Sequence, residues 1–216
     1  MPAVLDDAGC AMAGLSPPYV PETEMRHAFA NIAFTPAVRE VQARDGSRAQ
    51  YARAFESGDE VRNAELGPDE AAFIHAQRSF YMATVSETGW PYVQHRGGTP
   101  GFLRVVDAKT LTFTDLPGNR QFISVGNVAQ DNRVALILMD YTHRQRLKLL
   151  GRLSLEESAG EARTERTMTI HVEAFDWNCP KYIPMRFEAD DVQRALDARD
   201  RRIAELEAQL AEARRT

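Results

Sequence analysis

A chain of 216 residues with 44% hydrophobic side chains carries apolar material for one domain with appendages, or at most two small domains. Its net charge of −5 argues against a general affinity for nucleic acid or anionic membrane, and no run comes near the roughly 18 apolar residues of a spanning helix. Cys10 and Cys179 stand far apart without ligand-like spacing, and Met1–Gly14 lacks a basic n-region, so a cytoplasmic, reducing setting is expected.

Residues 1–35 carry Pro2, Pro17, Pro18 and Pro21 with little periodicity and read as a loosely ordered arm. Thr35-Pro36 is a helix start, a capping hydroxyl followed by proline at the first helical position. That helix is expected to reach Arg44, break at Asp45-Gly46-Ser47 and resume through Tyr51 and Phe55, completing an N-terminal unit over 1–66. Gly67-Pro68-Asp69-Glu70 opens another short helix, through Phe73 and Ile74, with acids where the helix dipole favours them.

From Ser79 the period changes to that of strands. They are expected at Phe80–Val85, Tyr92–His95, Phe102–Val106, Leu111–Thr114, Val134–Met139, Leu147–Leu155 and Met168–Ala174. Only Gly118–Asn127 is long enough for a helix between them, so βαβ alternation is missing and a Rossmann domain is disfavoured. The class is mainly β (α+β): six or seven antiparallel strands closed into a barrel or sandwich over 67–187, with N-terminal helices. Residues 188–216 follow as a long helix in which Val192, Leu196, Ile203, Leu206 and Leu210 recur at alternating three- and four-residue steps, with Arg199 at one seam position. If that seam pairs, Ile203 and Leu206 suit two parallel strands and Arg202 reaches Glu207 of a partner; otherwise the helix packs on its own barrel.

Three stretches offer chemistry. In Gln94-His95-Arg96-Gly97 a strand ends beside a glycine-rich turn, where backbone donors and a guanidinium suit an anion or the carbonyl edge of a heterocycle; a plain glycine hairpin is the competing reading. A helix opening at Gly118-Asn119, with Arg120 and Ser124 in its first turns, suits a phosphate, against a capped surface helix. Trp177, Lys181 and Arg186 lie on a proline-restricted path suited to stacking on a flat ring, or to a lid or dimer contact. His27, His75, His95, His143 and His171 have no ligand spacing, so no metal is expected, and His143 falls at a hairpin tip.

The blocks SFYMATVSETGWPYVQHRGGTPGF, LTFTDLPGNRQFISVGNVAQDNRVALIL and FDWNCPKYIP, taken in order, resemble the pyridoxamine 5′-phosphate oxidase-like family of FMN-binding split β-barrels over about residues 70–187. The resemblance implies a homodimer with FMN at the subunit interface and a small-molecule substrate, with NADH or NADPH as a candidate. It places Gln94, His95, Arg96 and Gly97 along the isoalloxazine ring, Asn119, Arg120 and Ser124 at the phosphate, and Trp177 and Arg186 where a second subunit closes the site. Ile183-Pro184-Met185-Arg186 stands where the true vitamin B6 oxidases carry Arg-Leu-His-Asp-Arg, which argues against pyridoxamine phosphate as substrate. The function implied is a flavin-dependent oxidoreductase. The alternatives are a flavin-binding sensor without turnover that engages a partner through its C-terminal helix, or the same barrel holding haem or a deazaflavin.

Overall fold

The structure, a computed structural model, describes residues 25–116, 118–159, 164–178 and 180–215. Seven antiparallel strands form one sheet: β1 (Ser79–Val85), β2 (Pro91–Gly97), β3 (Arg104–Asp107), β4 (Thr110–Thr114), β5 (Arg133–Asp140), β6 (Gln145–Ala159) and β7 (Thr164–Trp177). Their order is β2-β1-β5-β6-β7-β4-β3. The sheet curls until its inner face meets itself. Phe80 on β1, the second strand, lies 5.7 Å from the Phe102 ring and 5.2 Å edge-on from Phe113 of β4, the sixth. Met82, Leu111, Leu138, Leu147, Leu149, Met168 and Ile170 fill the space between, all fully buried. Each such side chain contributes about 1.5–3 kcal/mol of burial. The edge strands β2 and β3 do not hydrogen-bond to each other, so the barrel is split.

The strand expectations hold in number and place, and two of the strands are longer than their apolar runs. β6 and β7 continue past Leu155 and back before Met168, where Glu156, Glu157 and Ser158 pair with Thr167, Arg166 and Glu165. The polar residues are compatible with this extension because Arg166 Nε donates to Glu157 across the ladder at 2.6 Å. A bulge sits between Leu150 and Gly151, where a Cβ on Gly151 would lie 2.4 Å from the His171 carbonyl oxygen. Only glycine lets the two backbones approach so closely there.

Helices α1 (Ala28–Ala33), α2 (Pro36–Arg44), α3 (Arg48–Phe55) and α4 (Pro68–Ala76) precede the sheet. Thr35 caps α2 through its hydroxyl, and Glu70 reaches back to the Gly67 N–H of α4 at 2.9 Å, as their sequence signatures require. The expectation of a loose arm over 1–35 is corrected from residue 25 onward; residues 1–24, and Cys179, lie outside the described residues. α1 forms because Met25, Ala28 and Ala30 are buried and because Asn31 clasps the Met25 backbone from both of its amide atoms at 2.7 Å. Such small apolar residues leave little periodic signal in six positions.

His27 joins this unit to the sheet. It is buried, its ring 4.3 Å from Phe55, and its Nδ1 accepts from the Ala30 N–H at 3.4 Å. Nε2 faces Asp176 Oδ1 of β7 at 4.0 Å. Burial lowers its pKa from 6.5, the Asp176 carboxylate opposes the shift and Arg62 reinforces it. The unfolded chain therefore binds a proton first, so stability is complete above pH 6.5 and falls as pH drops from there through the folded-state value. Urea titrations across pH 5–7 are expected to show this slope, and His27→Gln is expected to flatten it. An unchanged slope in that variant excludes His27 as the source.

The long helix α6 (Ala189–Ala213) ends the described chain. Helix α5 (Ile123–Gln130) connects β4 to β5.

Candidate functional site

Among the described residues strand β2 pairs only with β1, and its other edge has no strand beside it. Its register sets Gln94 opposite Met82 and Arg96 opposite Phe80, so both point to the core face, while His95 opposite Tyr81 points outward. The Arg96 guanidinium crosses the split in the barrel. Nη1 is ion-paired with Asp115, just past β4, Nη2 lies 4.0 Å from Met168 Sδ, and the group sits 5.8 Å from the Phe113 ring centre. Both partners of the ion pair are nearly buried, at 12% and 11% exposure. Arg96 Nε is buried with no hydrogen-bond acceptor among the described residues. Two residues back on the same face, Gln94 Oε1 accepts from Ser124 Oγ at 2.8 Å, and its NH2 makes no hydrogen bond among the described residues. Two neighbouring side-chain donors thus stand without acceptors beside an open strand edge.

Ser124 lies in the first turn of α5. Asn127, three residues on and on the same helix face, donates from Nδ2 to the buried Thr84 Oγ1 of β1 at 2.9 Å. Val125 and Val128 pack against the core. The helix is pinned to β2 and β1 by two polar contacts within one apolar face.

The helix expected to open at Gly118-Asn119 begins at Ile123 instead. Asn119 spends its side chain on a turn, accepting from the Gln121 N–H at 3.2 Å, and Arg120 and Phe122 take left-handed φ of 62° and 53°. Such residues cannot propagate a right-handed helix. Each costs about 1–3 kcal/mol of backbone strain. Phe122 is the N-cap and supplies no capping side chain, so the first N–H groups of α5 have no side-chain acceptor. Arg120 is exposed and forms no ion pair among the described residues. Leu116, Phe122 and Ile123 leave an exposed apolar rim beside it, with Arg166 stacked 4.9 Å over the Phe122 ring.

The remaining residues lie apart from this cluster within the chain. The His95 ring stands edge-on to Tyr81 at 5.5 Å on the outer face. Gly97 ends β2, where a Cβ would come within 3.1 Å of the His95 ring. The Trp177 indole N–H donates to Glu70 Oε1 at 2.7 Å and its ring stands edge-on to Phe73, fastening the end of β7 to α4. Arg186 is exposed, its guanidinium 4.6 Å over Tyr141, and its carbonyl accepts from Thr142 in the turn between β5 and β6. His143 is in that turn and bonds Asp140.

Asp115, Thr84 and Asn127 were not expected at the site. Ser124 and Asn127 at three-residue spacing within an apolar segment are a legible sign of one polar-pinned face; nothing local marks Asp115 as the partner of an arginine 19 residues earlier. Among the described residues no group of three His, Cys, Asp or Glu could hold a metal, and no helix is long and apolar enough to cross a membrane.

A seven-stranded sheet curled around one core, split between its edge strands and carrying unpaired side-chain donors at the split, defines a split β-barrel protein. The family model of pyridoxamine 5′-phosphate oxidase matches residues 66–211, and the chain belongs to that family. No curated protein matches the sequence. Solved structures resemble it at low identity. A Lactobacillus delbrueckii protein assigned to the pyridoxamine 5′-phosphate oxidases has 17% identity and a TM-score of 0.45, over 54% of this chain and 97% of its own. HupZ of group A Streptococcus has 16% identity and a TM-score of 0.41, over 51% of this chain and 91% of its own. The haem storage protein HutZ of Vibrio cholerae has 13% identity and a TM-score of 0.38, over 51% of this chain and 93% of its own.

Proposed function

We propose that this protein binds FMN along the edge of β2 beside the amino end of α5, and acts as a cytoplasmic flavin-dependent oxidoreductase. The observation that carries the reading is the buried, acceptor-free Nε of Arg96. A buried donor left unpaired costs about 1–3 kcal/mol, and a ligand acceptor would remove that cost. The pyrimidine edge of a flavin offers carbonyl and ring-nitrogen acceptors of the right kind for the Gln94 amide and, once the guanidinium turns out of the core, for Arg96 Nε, so the donors present fit the group. Arg120 and the uncapped first turn of α5 suit the phosphate, with Asn119 ordering the turn and Ser124 holding Gln94 in place.

Bound there, the flavin would supply hydride chemistry at its N5, which is why no catalytic acid–base pair is required of the chain. The chain's own part is orientation and charge. Asp115 fixes the guanidinium plane and offsets part of its charge. The protein in this reading is a homodimer with the cofactor at the interface, closed by the partner's Trp177 and Arg186, acting on a small molecule with NADH or NADPH as electron donor. Support comes from the outer face of β1–β2, where Tyr81, Val93 and His95 are exposed, and from the turn joining the two strands, where Trp90 is 76% exposed.

The test is the absorption spectrum of the protein as purified, followed by mass identification of the released chromophore. Flavin bands, release of FMN and steady oxidation of a nicotinamide donor are expected. A flavin inert to such donors would leave a sensor rather than an enzyme. A haem or deazaflavin chromophore, or none after incubation with FMN, overturns the assignment.

A further inference from the structure

α6 is a helix of 25 residues, about 37 Å long. Every one of its residues is exposed. At its N-cap Glu188 faces Arg78 Nε of the body at 3.9 Å. The seam positions are Ala189, Val192, Leu196, Arg199, Ile203, Leu206, Leu210 and Ala213, a three-and-four spacing broken once by Arg199. A helix with an uncovered apolar face gains little stability from propensity alone and needs that face buried. The exposed apolar surface also begins before the helix, with Tyr182, Met185 and Phe187. This removes the option of packing on its own barrel.

We propose that α6 pairs in parallel with the same helix of a second copy of this chain. The seam is self-complementary, and Ile203 followed by Leu206 is the combination that suits two parallel strands. Charge selects the direction. In a parallel pair Arg202 flanks Glu207 of the other copy, an attraction made twice. Antiparallel pairing forfeits that attraction and, in the register that centres the pair near position 201, sets Arg202 against its own counterpart. Arg199 is the one charged knob; in register it meets its own counterpart, and Asp200 of the same helix, accepting from Nε at 3.1 Å and from Nη2 at 2.8 Å, offsets part of that repulsion. A polar seam residue of this kind costs stability while fixing register and strand number. Arg202 holds Glu205 of its own helix at 2.9 Å in the single chain and is free to turn toward the flank. The pairing stands independently of any bound flavin.

The experiment uses the full chain with Cys10→Ser and Cys179→Ser, to which Leu206→Cys at the seam or Ala208→Cys on the outer side is added. Under mild oxidation Leu206→Cys is expected to yield a disulfide-linked dimer as its main species, and Ala208→Cys to stay largely single. Arg202→Glu should reduce crosslinking at position 206, and Arg202→Glu combined with Glu207→Arg should restore it. Arg199→Leu should raise the melting temperature of the paired helix. Equal crosslinking at 206 and 208, none at 206, or no recovery in the charge swap overturns the proposal, and each of these readouts is unaffected by a dimer formed through the barrel alone.

Discussion

Replacing Arg96 by methionine is expected to destabilise the ligand-free fold by about 3–5 kcal/mol, the cost of leaving a buried charge without its partner. The partner is Asp115, and both side chains are nearly out of solvent. The pair joins β2 to the end of β4 across a gap that no backbone ladder spans, so its loss opens the barrel where the sheet itself offers nothing. A double variant, Arg96→Met with Asp115→Leu, is expected to recover most of that stability, because an apolar pair of similar size removes the charge as well as the contact. Flavin affinity should fall in both variants and should not recover in the second. Urea titration of the apoprotein and fluorescence titration with FMN measure the two effects separately. If the double variant is no more stable than the single one, the ion pair is not what closes the split; if it binds FMN normally, Arg96 does not contact the ring.

The second large effect is on the phosphate. Arg120 has φ of 62°, so glycine is the substitution that removes the guanidinium while keeping the backbone path. Arg120→Gly is expected to lower FMN affinity about tenfold to a hundredfold, the equivalent of one charge-assisted hydrogen bond of about 1.5–3 kcal/mol. Riboflavin, which has the same ring and no phosphate, should bind the variant as it binds the parent. Apoprotein stability should hold or rise slightly, since glycine relieves left-handed strain. Equal weakening for FMN and riboflavin would move the phosphate away from α5 and point to a general effect on the loop.

Much of the architecture was legible because it is local. Thr35-Pro36 and the Gly67 to Glu70 start state their helix ends in the side chains that make the capping hydrogen bonds, and the Asp45-Gly46-Ser47 break turns on Gly46 at φ 81°. The strands announce themselves by alternation, and β2 keeps an unbroken two-residue rhythm of exposed and half-buried positions from Pro91 to Gly97. The misreadings arose where a residue's fate depended on something distant. Asn119 looked like a helix cap and forms a turn instead, because Arg120 and Phe122 are held left-handed. α1 carries too few and too small apolar residues to show a period, and it is ordered by burial against β7.

The residues by themselves determined the class of fold, the order of its elements and the seam of α6, since each depends on neighbours a few positions away. Tertiary structure alone decided that Arg96 meets Asp115, that Ser124 turns inward to Gln94, and that Trp177 bonds Glu70, 107 residues distant. The reason is that periodicity reports which face of an element is buried, whereas a pair across the barrel depends on how the whole sheet curls. That curl is set by core packing and by the bulge at Gly151, neither of which is written at the positions it brings together.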